Sequence, residues 1–289
     1  MQFEVLAEGL AFPEGPVVMP DGSVIVMEMF GGQITRIWGD GRREVVARTD
    51  GGPNGAQLGP DGALYVCNNG ENKTSPYSGG RIERVDLSTG RVERLYDQVD
   101  GRGLQMPNDL VFDSDGGIWF TDFGLREGRW TGKSGLYWCR PDGSEIREVW
   151  FGGMGYNGVG LSPGGDAVYV STTFAGRLYR FQLAGPGELA PNLGQRGTPE
   201  LFVGTSLADG GFDSLAVTAS GAVCCATLWT GGITTFTSAG ERRFLPLPDE
   251  AVTNIAFGGD DMRDAYVTLG RTGRLVRLRW DEPGLRLNF

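Results

Sequence analysis

Six residues at matching places in the chain carry a side-chain oxygen suited to a metal or a water molecule: Glu14, Asn54, Asn108, Asn157, Asp213 and Asn254. Two are carboxylates and four are carboxamides. No histidine occurs anywhere in the 289 residues. Its absence removes Ser-His-Asp and Cys-His catalysis, histidine metal sites and histidine acid–base chemistry. Any catalysis must rest on carboxylates, amides, hydroxyls, Lys, Arg, Tyr or a metal. One Asn or Asp at the start of a strand ordinarily caps a turn. Six in register point elsewhere. Two carboxylates held close together repel unless a positive charge sits between them. Two anions with several amide oxygens suit a divalent cation. An all-oxygen set favours hard ions such as Ca²⁺ or Mg²⁺, and also accepts Mn²⁺ or Zn²⁺.

The register comes from an internal repeat. Segments starting at the six residues align, with starts 40, 54, 49, 56 and 41 residues apart. Seven residues after each start stands a turn residue: Asp21, Asp61, Asp115, Gly164, Ser220 or Asp261. Gly follows directly at 22, 62, 116 and 221. Asp-Gly between apolar runs is a strong hairpin signal. Alternating apolar residues precede each turn, such as Leu110 with Phe112 and Leu215 with Val217. A fuller apolar run follows it, such as Ile118-Trp119-Phe120. Alternation marks a strand, and the fuller run suits one buried on both faces. Third strands are predicted at 33–37, 81–85, 135–138, 177–181, 233–236 and 274–277, and fourth strands at 43–47, 92–96, 145–150, 200–203 and 241–245.

Four strands per unit at this period specify an all-β, six-bladed β-propeller with four antiparallel strands per blade, spanning 1–289 as a single domain. The sixth unit runs out after its third strand. Residues 2–7 are expected to supply the missing fourth strand and close the ring, which leaves no free edge there. The longer intervals 70–80, 124–134 and 184–198 are read as loops. A two-sheet sandwich is the competing all-β reading, but it gives no reason for six equal starts. In a propeller the first strand of each blade lines the central channel, so the six residues enter it at one depth from six directions.

Composition narrows the partners. The formal net charge is −10, which argues against nucleic acid, since phosphate binding needs clustered Lys and Arg. No apolar run approaches membrane-spanning length. The N-terminal residues show neither a basic nor an apolar signal region. Cys67, Cys139, Cys224 and Cys225 have no paired spacing and are read as reduced. A cytoplasmic monomer or weak homo-oligomer, with no nucleic-acid or membrane partner, is expected.

Phe12-Pro13-Glu14-Gly15-Pro16, Pro107-Asn108-Asp109-Leu110 with Ile118-Trp119-Phe120-Thr121-Asp122, Tyr156-Asn157-Gly158, and Asp213 ahead of its strand carry a resemblance. Together, in this order, they resemble the senescence-marker-protein/gluconolactonase (regucalcin-like) family across nearly the whole chain. That resemblance implies a six-bladed propeller binding one divalent metal in its channel. Ca²⁺ is placed first, with Zn²⁺, Mn²⁺ or Mg²⁺ as alternatives, and no other cofactor is implied. It further implies a lactone-opening hydrolase acting on a small-molecule lactone. Glu14, Asn157 and Asp213 would be direct ligands, with Asn108 a fourth ligand or a substrate-positioning group. Asn54, Met106, Asn108 and Tyr156 are the expected substrate contacts. Animal-type aldonolactonases of the family carry Arg where this chain has Met106, which brings it closer to the bacterial gluconolactonase pattern.

The implied metal would polarise the lactone carbonyl. The base must then be a carboxylate or a metal-held hydroxide. Asp213 is the expected catalytic base with Asn108 orienting the reactants, and direct attack by Asp213 is a second route. The rival readings are another metal-dependent esterase or organophosphate hydrolase, or a non-catalytic cation-binding propeller. Asp109, Asp122 and Asp209 read as turn or capping groups. Trp119, Phe120, Trp138 and Trp150 read as blade core. Met27, Phe30, Phe123, Met154, Phe174 and Trp229, beside Met106 and Tyr156, stand where some could line the channel mouth. An apolar mouth would favour a less hydroxylated lactone.

Overall fold

The structure, a computed structural model, describes residues 2–73, 75–191, 198–207 and 209–289. Six antiparallel sheets stand around one axis. Their innermost strands are Pro13–Val18, Pro53–Leu58, Pro107–Phe112, Tyr156–Leu161, Gly211–Val217 and Val252–Gly258. Each contacts the innermost strand of the next blade, and the sixth returns to the first. Phe3–Ala7 pairs antiparallel with Arg274–Arg279 and completes the sixth sheet as its outermost strand. The first and last strands of the chain therefore share a blade, as the repeat requires.

The second strand of each blade is buried on both faces, as its apolar run demands. Val24–Glu28, Leu64–Asn68 and Ile118–Asp122 are buried at every position. Between the two strands, the residue eight places after each start has left-handed φ. It is Gly22, Gly62, Gly116, Gly165 and Gly221 in five blades, and Met262 in the sixth. A left-handed turn closes all six hairpins, and glycine adopts it without a Cβ clash. The blades interlock through large side chains such as Trp119, Phe120 and Trp138, and the partly buried Trp150 packs against the cluster that holds Trp119 and Trp138. The Trp138 indole N–H donates to Asp113 at 2.8 Å, so its burial leaves no orphaned donor.

Two of the intervals read as loops contain short hairpins. Arg126–Glu127 pairs with Trp130–Thr131. Glu188–Leu189 folds back on an extended third strand, Arg177–Gly185. Residues 192–197 of the third interval lie outside the described residues. Beyond the sixth blade, residues 281–289 run across the far end of the channel. Leu285 N–H donates to Val217 O at 2.8 Å, and the Asn288 carboxamide to Phe112 O at 2.8 Å. The Phe289 ring packs edge-on to Phe112 at 5.6 Å. Periodicity gave no sign of this plug, because it belongs to no repeat. Among the described residues no helix is long and apolar enough to cross a membrane.

Candidate metal centre

The six predicted residues sit where each innermost strand begins, and a local irregularity aims them. In every blade the pairing register slips beside the ring position. In blades two to five the ring residue and its successor together oppose one residue: Asn54-Gly55 against Cys67, Asn108-Asp109 against Thr121, Asn157-Gly158 against Ser171, and Asp213-Ser214 against Ala226. A two-against-one bulge bends its strand and re-aims a side chain.

Hydroxyls from the second strands fix these bulges and tie neighbouring blades together. The Ser171 hydroxyl accepts from Gly158 N–H at 2.8 Å and donates to Asp213 O at 2.5 Å. Thr121 accepts from Asp109 N–H at 3.2 Å and donates to Asn157 O. From the innermost strand of the sixth blade, Thr253 donates to Pro13 O at 2.7 Å, joining that blade to the first. Sequence reasoning missed these residues. The signal for Ser171 and Thr121 is a hydroxyl residue near the end of a buried second strand, legible only once the ring residues are aligned. Gly55 and Gly158 permit the close approach. A Cβ on Gly55 would stand 2.2 Å from an Asp109 carboxylate oxygen, and one on Gly158 would stand 2.6 Å from Ser214 Cα.

All six ring residues are buried, between 2% and 6% exposed. Their polar atoms are poorly satisfied. The carboxamide oxygens of Asn54, Asn108 and Asn157 are buried without a hydrogen-bond partner. Among the described residues Glu14 accepts only long bonds, from its neighbour Gly15 N–H at 3.3 Å and from Asn254 at 3.4 Å. Burial raises the Glu14 carboxyl well above the ordinary range, and the Asp213 and Asp109 charges push it further. Burial likewise lifts Asp213 to about 8; the Asn157 carboxamide draws it down while Asp109 adds repulsion. Asp109, one residue past the ring, rises to about 7 through burial, offset in part by Ser214 and by the Leu110 and Val159 amides. No Lys or Arg enters as a perturbing charge for any of the three.

Buried carboxylates without a counter-charge, beside orphaned carbonyl oxygens, form an electrostatic deficit. A hard divalent cation meets both needs, so the donor set fits such an ion. Among the described residues no three His, Cys, Asp or Glu side chains gather as a metal cluster. The ring instead mixes two carboxylates with amide oxygens, as the sequence indicated.

A family model described as the SMP-30/Gluconolactonase/LRE-like region matches residues 12–271. The chain belongs to this family. Among curated relatives of this SMP-30/gluconolactonase member, lactonase drp35 of Staphylococcus haemolyticus is 31% identical over 182 residues, 62% of this chain and 53% of the relative. A gluconolactonase of Zymomonas mobilis is 27% identical over 191 residues, 59% of this chain and 51% of the relative. The chain thus spans about half the length of the curated relatives it matches. Two solved structures show the same fold. A Xanthomonas campestris gluconolactonase superposes with a TM-score of 0.79 at 23% identity, covering 96% of this chain and 89% of that one. A calcium-binding regucalcin from Agrobacterium tumefaciens gives 0.77 at 20% identity, covering 99% and 98%.

The other predicted positions divide. Met106 is half-buried on the ring side, its N–H donating to Asp122 at 2.8 Å. Asp122 also accepts from Gln105 and Gly124 N–H groups, at 2.7 and 3.0 Å, so it caps a loop as expected. Asp209 is exposed. Tyr156, expected to touch substrate, is placed elsewhere. It is fully buried in the core with Trp119 and Phe181, and its hydroxyl bonds Glu200. One residue before the ring position, strand alternation turns it away from the channel. Met27 is likewise fully buried in blade core. Asp109, expected as a turn group, is buried one residue past the ring, near enough for its charge to act on Glu14 and Asp213.

Proposed function

We propose that this propeller is a metal-dependent hydrolase that opens a small lactone. The carrying observation is the buried ring itself: Glu14 and Asp213 with the unpartnered oxygens of Asn108 and Asn157. The names of the family and of the relatives, lactonase and gluconolactonase, supply the reaction class. Glu14, Asn157, Asp213 and Asn108 would hold one divalent cation, with Ca²⁺ first in line. The name of the regucalcin neighbour, which describes it as calcium-binding, supports that choice. When bound, the cation supplies Lewis-acid polarisation of the carbonyl and a counter-charge for the developing oxyanion.

The chain's own groups do the rest. Asp213 takes a proton from water as the water oxygen bonds to the carbonyl carbon. The ring C–O bond then breaks, and the same proton passes to the leaving oxygen. One water is consumed and one hydroxy acid is formed. Asn108, next to Asp109 on the same strand, orients water or carbonyl. Asn54 is a substrate contact through its free carboxamide oxygen. General-base assistance is worth about 10²–10⁴ in rate.

Acid release from a lactone in the presence of Ca²⁺ tests the reading. Exhaustive chelation is expected to stop turnover, and a fully active chelated protein would remove the cation from the reaction. The shared site chemistry also serves other esters, so a phosphotriester and an aryl ester belong in the same panel. A clear preference for either over every lactone would transfer the centre to that chemistry.

A further inference from the structure

The repeat sets a second tier of side chains above the ring. The first residue after each second strand is Met29, Asn69, Phe123, Thr173, Trp229 or Gly270. Hydrogen bonds connect this tier to the ring below it. Asn157 donates to the Thr173 hydroxyl at 3.1 Å, and Asn54 donates to the Met29 sulfur at 3.7 Å. Two of the six positions thus contact ring residues directly.

The tier is polarised. On the side of blades one and two, Asn69 also donates to the Met29 sulfur, at 3.6 Å, and its carboxamide oxygen has no partner. With Asn54 this makes two amides tethered to one weak acceptor, each with hydrogen-bonding capacity to spare. On the side of blades three to five the tier presents ring faces instead, with the Arg126 guanidinium stacked over Phe174 at 4.8 Å. The Thr173 hydroxyl is spent, accepting from Asn157 and donating to Phe212 O at 2.8 Å. Phe123 packs edge-on to Phe174 at 5.2 Å, and Phe174 is 38% exposed. Trp229 is 54% exposed and holds a left-handed φ of 68°. A bulky residue in that region is an outlier and is strained. The strain keeps its ring over Gly211, where a Cβ would stand 2.6 Å from the indole. That contact is two residues from Asp213. A Trp held exposed, in a costly backbone conformation and beside the proposed base, calls for an apolar ligand more than for core packing.

We infer that the lactone opened here carries an apolar alkyl or aryl substituent lying against Phe123, Phe174 and Trp229, with its polar side toward Asn54 and Asn69. A polyhydroxylated sugar lactone is the poorer fit, because hydroxyls laid against these ring faces would lose water without gaining a partner there. The inference rests on the lactonase reading, and the test separates the two.

Three δ-lactones with the same ring are compared with Ca²⁺ present: unsubstituted δ-valerolactone, a derivative with a five-carbon alkyl side chain, and δ-gluconolactone. Differences of about 10–200-fold per methylene are attainable in an apolar pocket. The alkyl derivative is expected to exceed gluconolactone at least about 10-fold in kcat/KM. Phe174→Ala and Trp229→Gly are each expected to shrink the ratio of alkyl to unsubstituted lactone several-fold; the glycine suits the left-handed backbone. Preference for gluconolactone, or a ratio unmoved in both variants, overturns this inference and leaves lactone hydrolysis standing. Failure to open any of the three overturns the lactonase reading. The substituent contact is then still read by fluorescence, as the tryptophan quenching that Trp229→Gly abolishes. Stronger quenching by the alkyl lactone supports the contact, and equal quenching by all three refutes it.

Discussion

The two ends of the channel are built from the same six strands and have opposite characters. At the upper end, each strand begins with a bulge that turns an amide or carboxylate inward, and the buried carboxamide oxygens of Asn54, Asn108 and Asn157 lack partners. At the lower end, the same strands finish in regular pairing. They enclose a cavity of about 870 Å³ lined largely by Val17, Leu58, Leu110, Leu161, Val217 and Phe257, with the 285–289 tail across it. Polar groups concentrate where the ladder is broken and apolar groups where it is intact. An unbroken ladder would alternate inward and outward residues strictly. The slip lets a polar residue and its successor both stand near the axis without disturbing the apolar alternation below. The upper end thus gives up polar satisfaction to gain a binding site, and the lower end supplies ordinary burial.

Substitutions at the upper end have the largest expected effect. Asp213→Asn keeps the size of the side chain and removes the base. Lactone turnover should fall by about 10²–10⁴, with an unchanged circular dichroism spectrum. Near-normal acid release in this variant would end the assignment of Asp213.

The bulges come next. Gly158→Val places atoms into Ser214 and Leu215 of the next blade. Overpacking of this kind costs about 1–3 kcal/mol, and here backbone has to move. A lowered denaturation midpoint together with lost activity is expected. An unaltered midpoint would mean that the blades can separate at the ring, contrary to the contact described.

The third effect is a pH dependence confined to the upper end. Asp109, raised to about 7, and Asp213, raised to about 8, hold protons in the folded chain that the unfolded chain releases near pH 4. Between those values the folded state binds more protons, so stability falls as pH rises. Without a divalent cation, the thermal midpoint should drop from about pH 4 to about pH 8 and level off above. Saturating Ca²⁺ should oppose the drop at the alkaline end, because cation binding favours the ionised carboxylates. A cation-independent profile in thermal melts would contradict the ring as a cation site.

Truncation at the lower end is the mildest change. Removing residues 281–289 deletes the Leu285 and Asn288 hydrogen bonds and the Phe289–Phe112 contact. A loss of about 1–3 kcal/mol in urea unfolding is expected, with the ratio of kcat/KM values between lactones preserved. A change in that ratio would show that the two ends are coupled.

Much of this protein was legible in the sequence because repetition multiplies weak signals. One Asp-Gly turn or one Asn at a strand start decides little. Six in register pointed to the blade count, the strand order, the closing role of residues 2–7 and the common place of Glu14, Asn108, Asn157 and Asp213. Those features depend on short-range periodicity and on ring closure, which the chain encodes locally. Tertiary structure alone decided what depends on neighbours from other blades. Tyr156 faces the core because the slip begins one residue after it. Asp109 reaches the centre because Gly55, on the adjacent strand, has no Cβ to exclude it. Ser171 and Thr121 matter because their hydroxyls reach a carbonyl in the next blade. The tail plug follows no period. Apart from the slip at Tyr156, which lies within one hairpin, each is a contact between residues 36 or more apart in sequence or in a non-repeating segment, and no local pattern carries that information.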